Sequence, residues 1–336
     1  MVEIMDLRSY RVATINGTKW LMTQQERDGS FKPVEHGLAT CHKLPYALAL
    51  MGEEERAARL CSWLVDHMMD EEGDFTRLYP RSNLMELFYN YPNAWLIAGA
   101  QKLGVYALSW PAAEFLSTVQ HPETGGFLTA GPAASLSDEQ DLLSTATAGL
   151  ACLHIGASQA AVRAGDFLVW LLDKQPRSNA LFTFVRDTDQ LVEEPPSQEL
   201  EPYYVFHVGR PGQFYAAPAM AALFLSKLYD ATSNDDYLTA AQLYANFPES
   251  DAADRYTSVY SGLWGWAAAE LFAATGNQNY LRTATEVGNA LLEQQLENGS
   301  WLQASMTVNQ ESDVVDGTAE HIIVLRGITK ALALGL

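Results

Sequence analysis

Apolar and polar positions along this chain alternate in blocks. Runs rich in Ala and Leu at 36–51, 92–103, 141–155, 213–230, 261–275 and 316–334 read as helices covered on all sides. Between them, segments at 10–25, 53–69, 109–120, 158–174, 236–246 and 277–295 carry apolar residues at helical spacing and charged residues elsewhere, the pattern of helices with one wet face. Gly52, Gly104 and Gly156 each close an apolar run and stand at identical 52-residue intervals. Glycine in that place ends a helix by accepting a left-handed conformation.

Six copies of one very apolar and one amphipathic helix predict two concentric rings: an all-α (α/α)6 toroid, one domain over 1–336. An open solenoid of the same hairpins is the competing arrangement. Neither end carries a polar capping repeat, which favours closure. Turns leaving the apolar helices are tight, whereas the returning connections, 26–35, 70–91, 121–140, 175–212, 247–260 and 296–315, are long. The long loops and the N-termini of the inner helices therefore share one face, and that face is predicted to hold the site.

Four of the long connections open with a related phrase: Gln25 to Gly29-Ser30-Phe31, Glu72-Gly73-Asp74-Phe75, Gln120 to Gly125-Gly126-Phe127, and Gln295 to Gly299-Ser300-Trp301. The Gln is expected to bond the last carbonyls of its own helix, the Gly to permit the turn, and the aromatic ring to plug the gap between repeats. These phrases resemble the QW-type repeats of the terpenoid cyclase and protein prenyltransferase toroids, and the six-pair pattern covers the whole chain. The resemblance implies an apolar chain enclosed in an aromatic-lined central cavity. The chain departs from that family in lacking DxDD, DDxxD and an Asp/Cys/His zinc set; its one comparable acidic doublet, Asp235-Asp236, lies at the short-turn end. The turn at Ala274-Thr275-Gly276-Asn277 with Tyr280-Leu281 resembles those of unsaturated-uronide hydrolases and sugar epimerases, which implies a glycan instead.

The formal net charge of −20 repels phosphate backbones and anionic lipid, so neither nucleic acid nor membrane is an expected partner. With no long apolar run and no signal-peptide core at the N-terminus, a cytoplasmic protein is expected. Cys41, Cys61 and Cys152 lack CxxC spacing and are expected as buried thiols.

The first turns of the inner helices supply the predicted rim: His42 and Tyr46; Tyr89, Asn90, Asn93 and Trp95; Asp141; Gln213 and Tyr215; Tyr260 and Trp264; Asp316, Glu320 and His321. Asp316 and Glu320, at i and i+4, share a face and offer two carboxylates for acid–base work or for capping and loop bonds. Glu320 and His321 point about 100° apart, so at most one faces inward. His42 reads equally as a core histidine or an inward proton donor, and Trp95 and Trp264 read first as packing. No spacing suits a metal, and no phosphate loop or dinucleotide fingerprint is present, so no metal and no cofactor are expected.

The leading expectation is a metal-independent cyclase or isomerase, a pericyclic closure such as a Diels–Alder reaction included. It would fold a hydrophobic terpenoid or polyketide-type substrate, with His42, Glu320 and Tyr260 catalytic and the other rim residues binding. The alternatives are a glycan hydrolase, lyase or epimerase working through Asp141, Asp316 or Glu320, and a non-catalytic toroid that binds lipid or protein.

Overall fold

Two classes of helix form as the block pattern demands. In a computed structural model, which describes residues 7–79, 81, 84–131, 139–176, 179–249, 251–302 and 310–335, the chain runs through fifteen α-helices and five short strands among the described residues. The amphipathic helices are α1 (Leu7–Gln24), α4 (Glu54–His67), α7 (Tyr106–Thr118), α9 (Ser158–Lys174), α12 (Asp235–Asn246) and α14 (Gln278–Gln294). The apolar ones are α2 (Leu38–Cys41) with α3 (Leu44–Met51), α6 (Asn90–Leu103), α8 (Leu142–Ile155), α11 (Ala216–Thr232), α13 (Gly262–Thr275) and α15 (Gln310–Gly335). Single turns α5 (Leu84–Leu87) and α10 (Glu201–Tyr204) lie in the long connections. So do β1 (Gln140–Asp141), β2 (Ala180–Phe182), β3 (Phe184–Arg186), β4 (Gln190–Leu191) and β5 (Val205–His207), which pair antiparallel in the orders β1-β3-β4 and β2-β5.

The apolar helices pack side by side in the order α3, α6, α8, α11, α13, α15, and α15 returns to α2 and α3, which closes an inner ring. Each amphipathic helix lies mainly against the apolar helix that precedes it; for α1 that helix is α15, so the two ends of the chain complete the sixth pair. Gly52, Gly104 and Gly156 each adopt φ between 70° and 78° at the helix ends, as their spacing predicted.

In the loop phrases the glycines turn with positive φ and the aromatic rings are buried, as expected, but the Gln side chains do a different job. Gln25 Nε2 donates to the Gly29 carbonyl at 3.1 Å and to the Arg56 carbonyl of α4 at 2.9 Å. Gln120 does the same to Gly125 and to Ala160 of α9, at 2.9 and 3.0 Å, and Gln295 to Gly299 and to Ala13 of α1, at 2.8 and 2.9 Å. Each Gln ties its own loop to the next outer helix rather than capping its own. The glycine presses against that same helix: a Cβ on Gly299 would stand 2.7 Å from the Asn16 carbonyl oxygen, and one on Gly73 2.2 Å from that of Pro111. The joint of Gln295 and Gly299 onto α1 closes the outer ring.

The first inner helix is not continuous over 36–51. A 3-10 turn at Val34–His36 precedes α2, and the chain turns again at His42 and Lys43 before α3. Pro45 in the first turn of α3 has no N–H to offer the Cys41 carbonyl, which interrupts the helical ladder there. The interruption leaves two polar residues at the inner ring's mouth. None of the described helices is long and apolar enough to cross a membrane.

Candidate active site

The interruption at His42 and Lys43 faces α15. Lys43 Nζ donates to Glu320 Oε2 at 2.6 Å and to Asp316 Oδ2 at 2.8 Å, and all three side chains are at least 87% shielded. Asp316 and Glu320 thus share a face, as their i, i+4 spacing requires. Burial alone would lower the Lys43 pKa, but the two carboxylates outweigh it and hold the ammonium charged well above its usual range. Burial pushes the Asp316 carboxyl up from its ordinary value, with Lys43 opposing. An ammonium carries three N–H groups, and among the described residues two are used, which leaves the third for a ligand oxygen.

His42 packs edge-on to Tyr91 at 5.5 Å, and its Nδ1 lies 2.8 Å from the Leu38 carbonyl oxygen. A carbonyl only accepts, so Nδ1 carries the proton and Nε2, which has no partner among the described residues, carries the lone pair. Asp316 Oδ1, 3.5 Å from that committed Nδ1, has no hydrogen-bond partner among the described residues either. Burial first, and then Lys43, drive the His42 pKa well below its usual value, so the imidazole is neutral at physiological pH.

A second charged cluster adjoins the first. Arg81 Nη2 donates to Asp74 Oδ1 and Asn93 Oδ1, both at 2.7 Å, and its Nη1 donates to the Tyr89 carbonyl at 2.6 Å. The guanidinium lies 3.7 Å from the centre of the Tyr89 ring, whose hydroxyl donates to Asp74 Oδ2. Asn93 Nδ2 completes the set on Asp74 at 2.8 Å. Arg81 also lies close enough to His42 to disfavour its protonation. Lys43, Asp74 and Arg81 were not singled out from sequence. Lys43 is the charge embedded in an otherwise apolar run, and Asp74 belongs to a loop phrase that reads as structural.

The remaining rim residues are distributed around the mouth. Asn90 Nδ2 donates to the Leu128 carbonyl at 2.6 Å, and its Oδ1 has no partner among the described residues. Asp141 caps α8, accepting from the Ser144 N–H at 2.7 Å; burial pushes the carboxyl up to about 6, with hydrogen bonds from Ser144 and Thr129 opposing. Gln213 Oε1 accepts from the His207 N–H at 2.6 Å. Tyr215 donates to Asp254 Oδ1 at 2.9 Å, and Tyr260 stands edge-on to Phe214 at 5.0 Å.

Other rim positions lie away from this mouth cluster. Trp95 is buried between Tyr46 and Tyr91, and Trp264 is buried against Tyr256. His321 is buried edge-on to Trp301, with both ring nitrogens unpartnered among the described residues. Tyr46 turns toward the short-turn end, 3.3 Å from His154 Nε2. Cys41, Cys61 and Cys152 are free and buried. Among the described residues, no three His, Cys, Asp or Glu side chains are grouped so as to hold a metal ion.

The arrangement is therefore a buried polar cluster. Among the described residues, His42, Arg81, Asn90 and Asp316 each bury a donor or acceptor without a partner at the mouth of the inner ring. Leaving such a group unpaired costs about 1–3 kcal/mol, and binding sites concentrate such groups.

No protein-family model matches the chain, and no curated protein matches it in sequence. Solved structures do match in shape. A D-mannose isomerase superposes with a TM-score of 0.72 at 13% identity, over 98% of this chain and 99% of that one. An unsaturated glucuronyl hydrolase from Bacillus sp. GL1 gives 0.66 at 11% identity, over 95% and 96%. A type II terpene cyclase from Scytonema, in complex with geranylgeranyl dihydroxybenzoate, gives 0.59 at 12% identity, over 98% of each chain. The chain has the α/α-toroid fold. That fold is shared by terpenoid cyclases and by glycan-active enzymes, so the choice between them rests on the site.

Proposed function

We propose that the chain is an enzyme that moves protons on a polyhydroxylated carbonyl compound of the sugar type, by isomerisation or epimerisation. The observation that carries this reading is the Lys43–Asp316–Glu320 cluster at the mouth, with neutral His42 beside it. Removing a proton from the carbon next to a carbonyl builds negative charge on the carbonyl oxygen. The free N–H of Lys43 is placed to stabilise that charge. Glu320 or Asp316 takes the proton and returns it to the neighbouring carbon, so the substrate is rearranged with no net gain or loss of atoms. His42 Nε2 and Asp316 Oδ1 supply acceptors for substrate hydroxyls.

Two sequence expectations fit this cluster less well. Glycoside hydrolysis builds positive charge at the anomeric centre, as cationic cyclisation does along an isoprenoid, and the donors of Lys43 and Arg81 oppose both. The cyclase reading keeps one specific support: the ring contacts of Phe88, Tyr203, Phe214 and Tyr260, which join long-loop residues into an aromatic wall.

Thermal denaturation against two panels separates the readings, because a ligand that binds only the folded state raises Tm by mass action. Stabilisation by an aldose, ketose or uronic acid, lost in Glu320→Gln, is the expected result. Stabilisation by polyprenyl or polycyclic compounds alone would overturn the proposal.

A further inference from the structure

The inner ring carries a second polar collar at its opposite, short-turn end. Tyr46 of α3, Lys102 of α6, His154 of α8, Lys227 of α11, Glu270 of α13 and Lys330 of α15 each fall within the last six residues of their helix, one from every inner helix. Five of them make contacts in two groups. Tyr46 OH lies 3.3 Å from His154 Nε2, Lys102 Nζ is 5.7 Å from the Tyr46 ring centre, and Lys227 pairs with Glu270 at 2.5 Å. The collar is distinct from the mouth: Trp266 lies against Gly327 of α15 and donates its indole N–H to Glu270 at 2.9 Å, one turn nearer the mouth than Glu270 itself.

The charge balance here is unusual for a chain of net charge −20. Three lysines belong to this end, and Glu270 and Asp230 both pair with Lys227; among the described residues neither Lys102 nor Lys330 has a carboxylate within ion-pair distance, and both are exposed. The C-terminal dipoles of the inner helices offset part of this charge, yet the cations still act on one another. Burial and then the three lysines lower the His154 pKa to about 4, and burial and then Lys330 lower that of Lys102.

We infer that this collar is a binding site for a small phosphate-type oxyanion, held by Lys102 and Lys330 with Lys227, His154 and the Tyr46 hydroxyl beneath. The exposed ammonium groups supply charge-assisted donors, and the packed ring of inner helices fixes where each side chain starts. The inference stands apart from the reading of the mouth.

Thermal denaturation in inorganic phosphate against sodium chloride of equal ionic strength tests it, using wild type, Lys102→Met/Lys330→Met and Glu320→Gln. Both lysines are exposed, so the double variant is expected to fold. Phosphate should raise the wild-type and Glu320→Gln Tm by several degrees and leave the double variant unchanged. The His154 imidazole, followed by NMR, should titrate at higher pH when phosphate is bound. A larger shift with glycerol phosphate would assign a phosphate ester rather than the free ion. No phosphate-specific shift at tens of millimolar, or an equal shift in the double variant, would overturn the inference.

Discussion

Glu320 Oε2 lies 2.6 Å from Lys43 Nζ, so a carboxylate on the last inner helix holds an ammonium at the interruption of the first. The two residues are 277 positions apart in the chain, and their contact stands where the inner ring closes. One ion pair therefore serves both the closure of the toroid and the polar cluster at its mouth.

Removing only one partner of this cluster leaves buried charge uncompensated. Lys43→Met should destabilise the fold by about 3–5 kcal/mol, whereas Lys43→Met combined with Asp316→Asn and Glu320→Gln should recover much of that loss. Urea denaturation of the single and triple variants measures both. Equal destabilisation of the two would show that packing, rather than stranded charge, governs the site.

His321 gives a pH-dependent stability. Its pKa is about 4 when folded, lowered by burial from an ordinary 6.5, so between those values the unfolded chain binds the additional proton. Stability contributed by neutral His321 is thus present above 6.5 and lost as pH falls toward 4, at up to about 1.4 kcal/mol per pH unit. His321→Gln cannot take up that proton. The stability gap between wild type and His321→Gln, measured in urea at pH 7.5 and 5, should narrow on acidification; a constant gap would contradict the buried, neutral imidazole.

Glycines with similar backbone angles should respond differently to alanine. Gly52 has φ of 77° and open space around its missing Cβ, so Gly52→Ala should cost only the left-handed penalty of about 1–2 kcal/mol. Gly299 has φ of 93° and faces the Asn16 carbonyl, so Gly299→Ala should add a backbone displacement of about 1–3 kcal/mol. Calorimetry of the two variants ranks them. The reverse order would contradict the outer-ring joint.

The toroid was legible in the sequence because the rings repeat their chemistry. Glycine at the helix ends and the Gln-to-aromatic phrases recur wherever one backbone position must turn or meet a neighbouring helix. The shared face of Asp316 and Glu320 was legible for the same reason, since helical spacing fixes it locally. What escaped depends on contacts distant in the chain. Nothing near Lys43 signals that its partners lie on α15, and Asp74 and Arg81 meet Asn93 and Tyr89 only once the second long loop folds back. The carbonyls that receive Gln25, Gln120 and Gln295 belong to neighbouring helices, which is why the expected cap on their own helices is absent. The strands at 180–207 are two or three residues long, too short for a periodic pattern.

The central claim is that the mouth moves a proton on a sugar-type carbonyl compound. Its most direct test is ¹H NMR in D₂O of a panel of aldoses, ketoses and uronic acids with wild type and Glu320→Gln. The account predicts that, for at least one of them, the proton on the carbon beside the carbonyl is replaced by deuterium at neutral pH. It also predicts that Glu320→Gln slows this exchange by about 10²- to 10⁴-fold. Binding of a saccharide with no exchange at that carbon, or glycosidic cleavage without exchange, would contradict it.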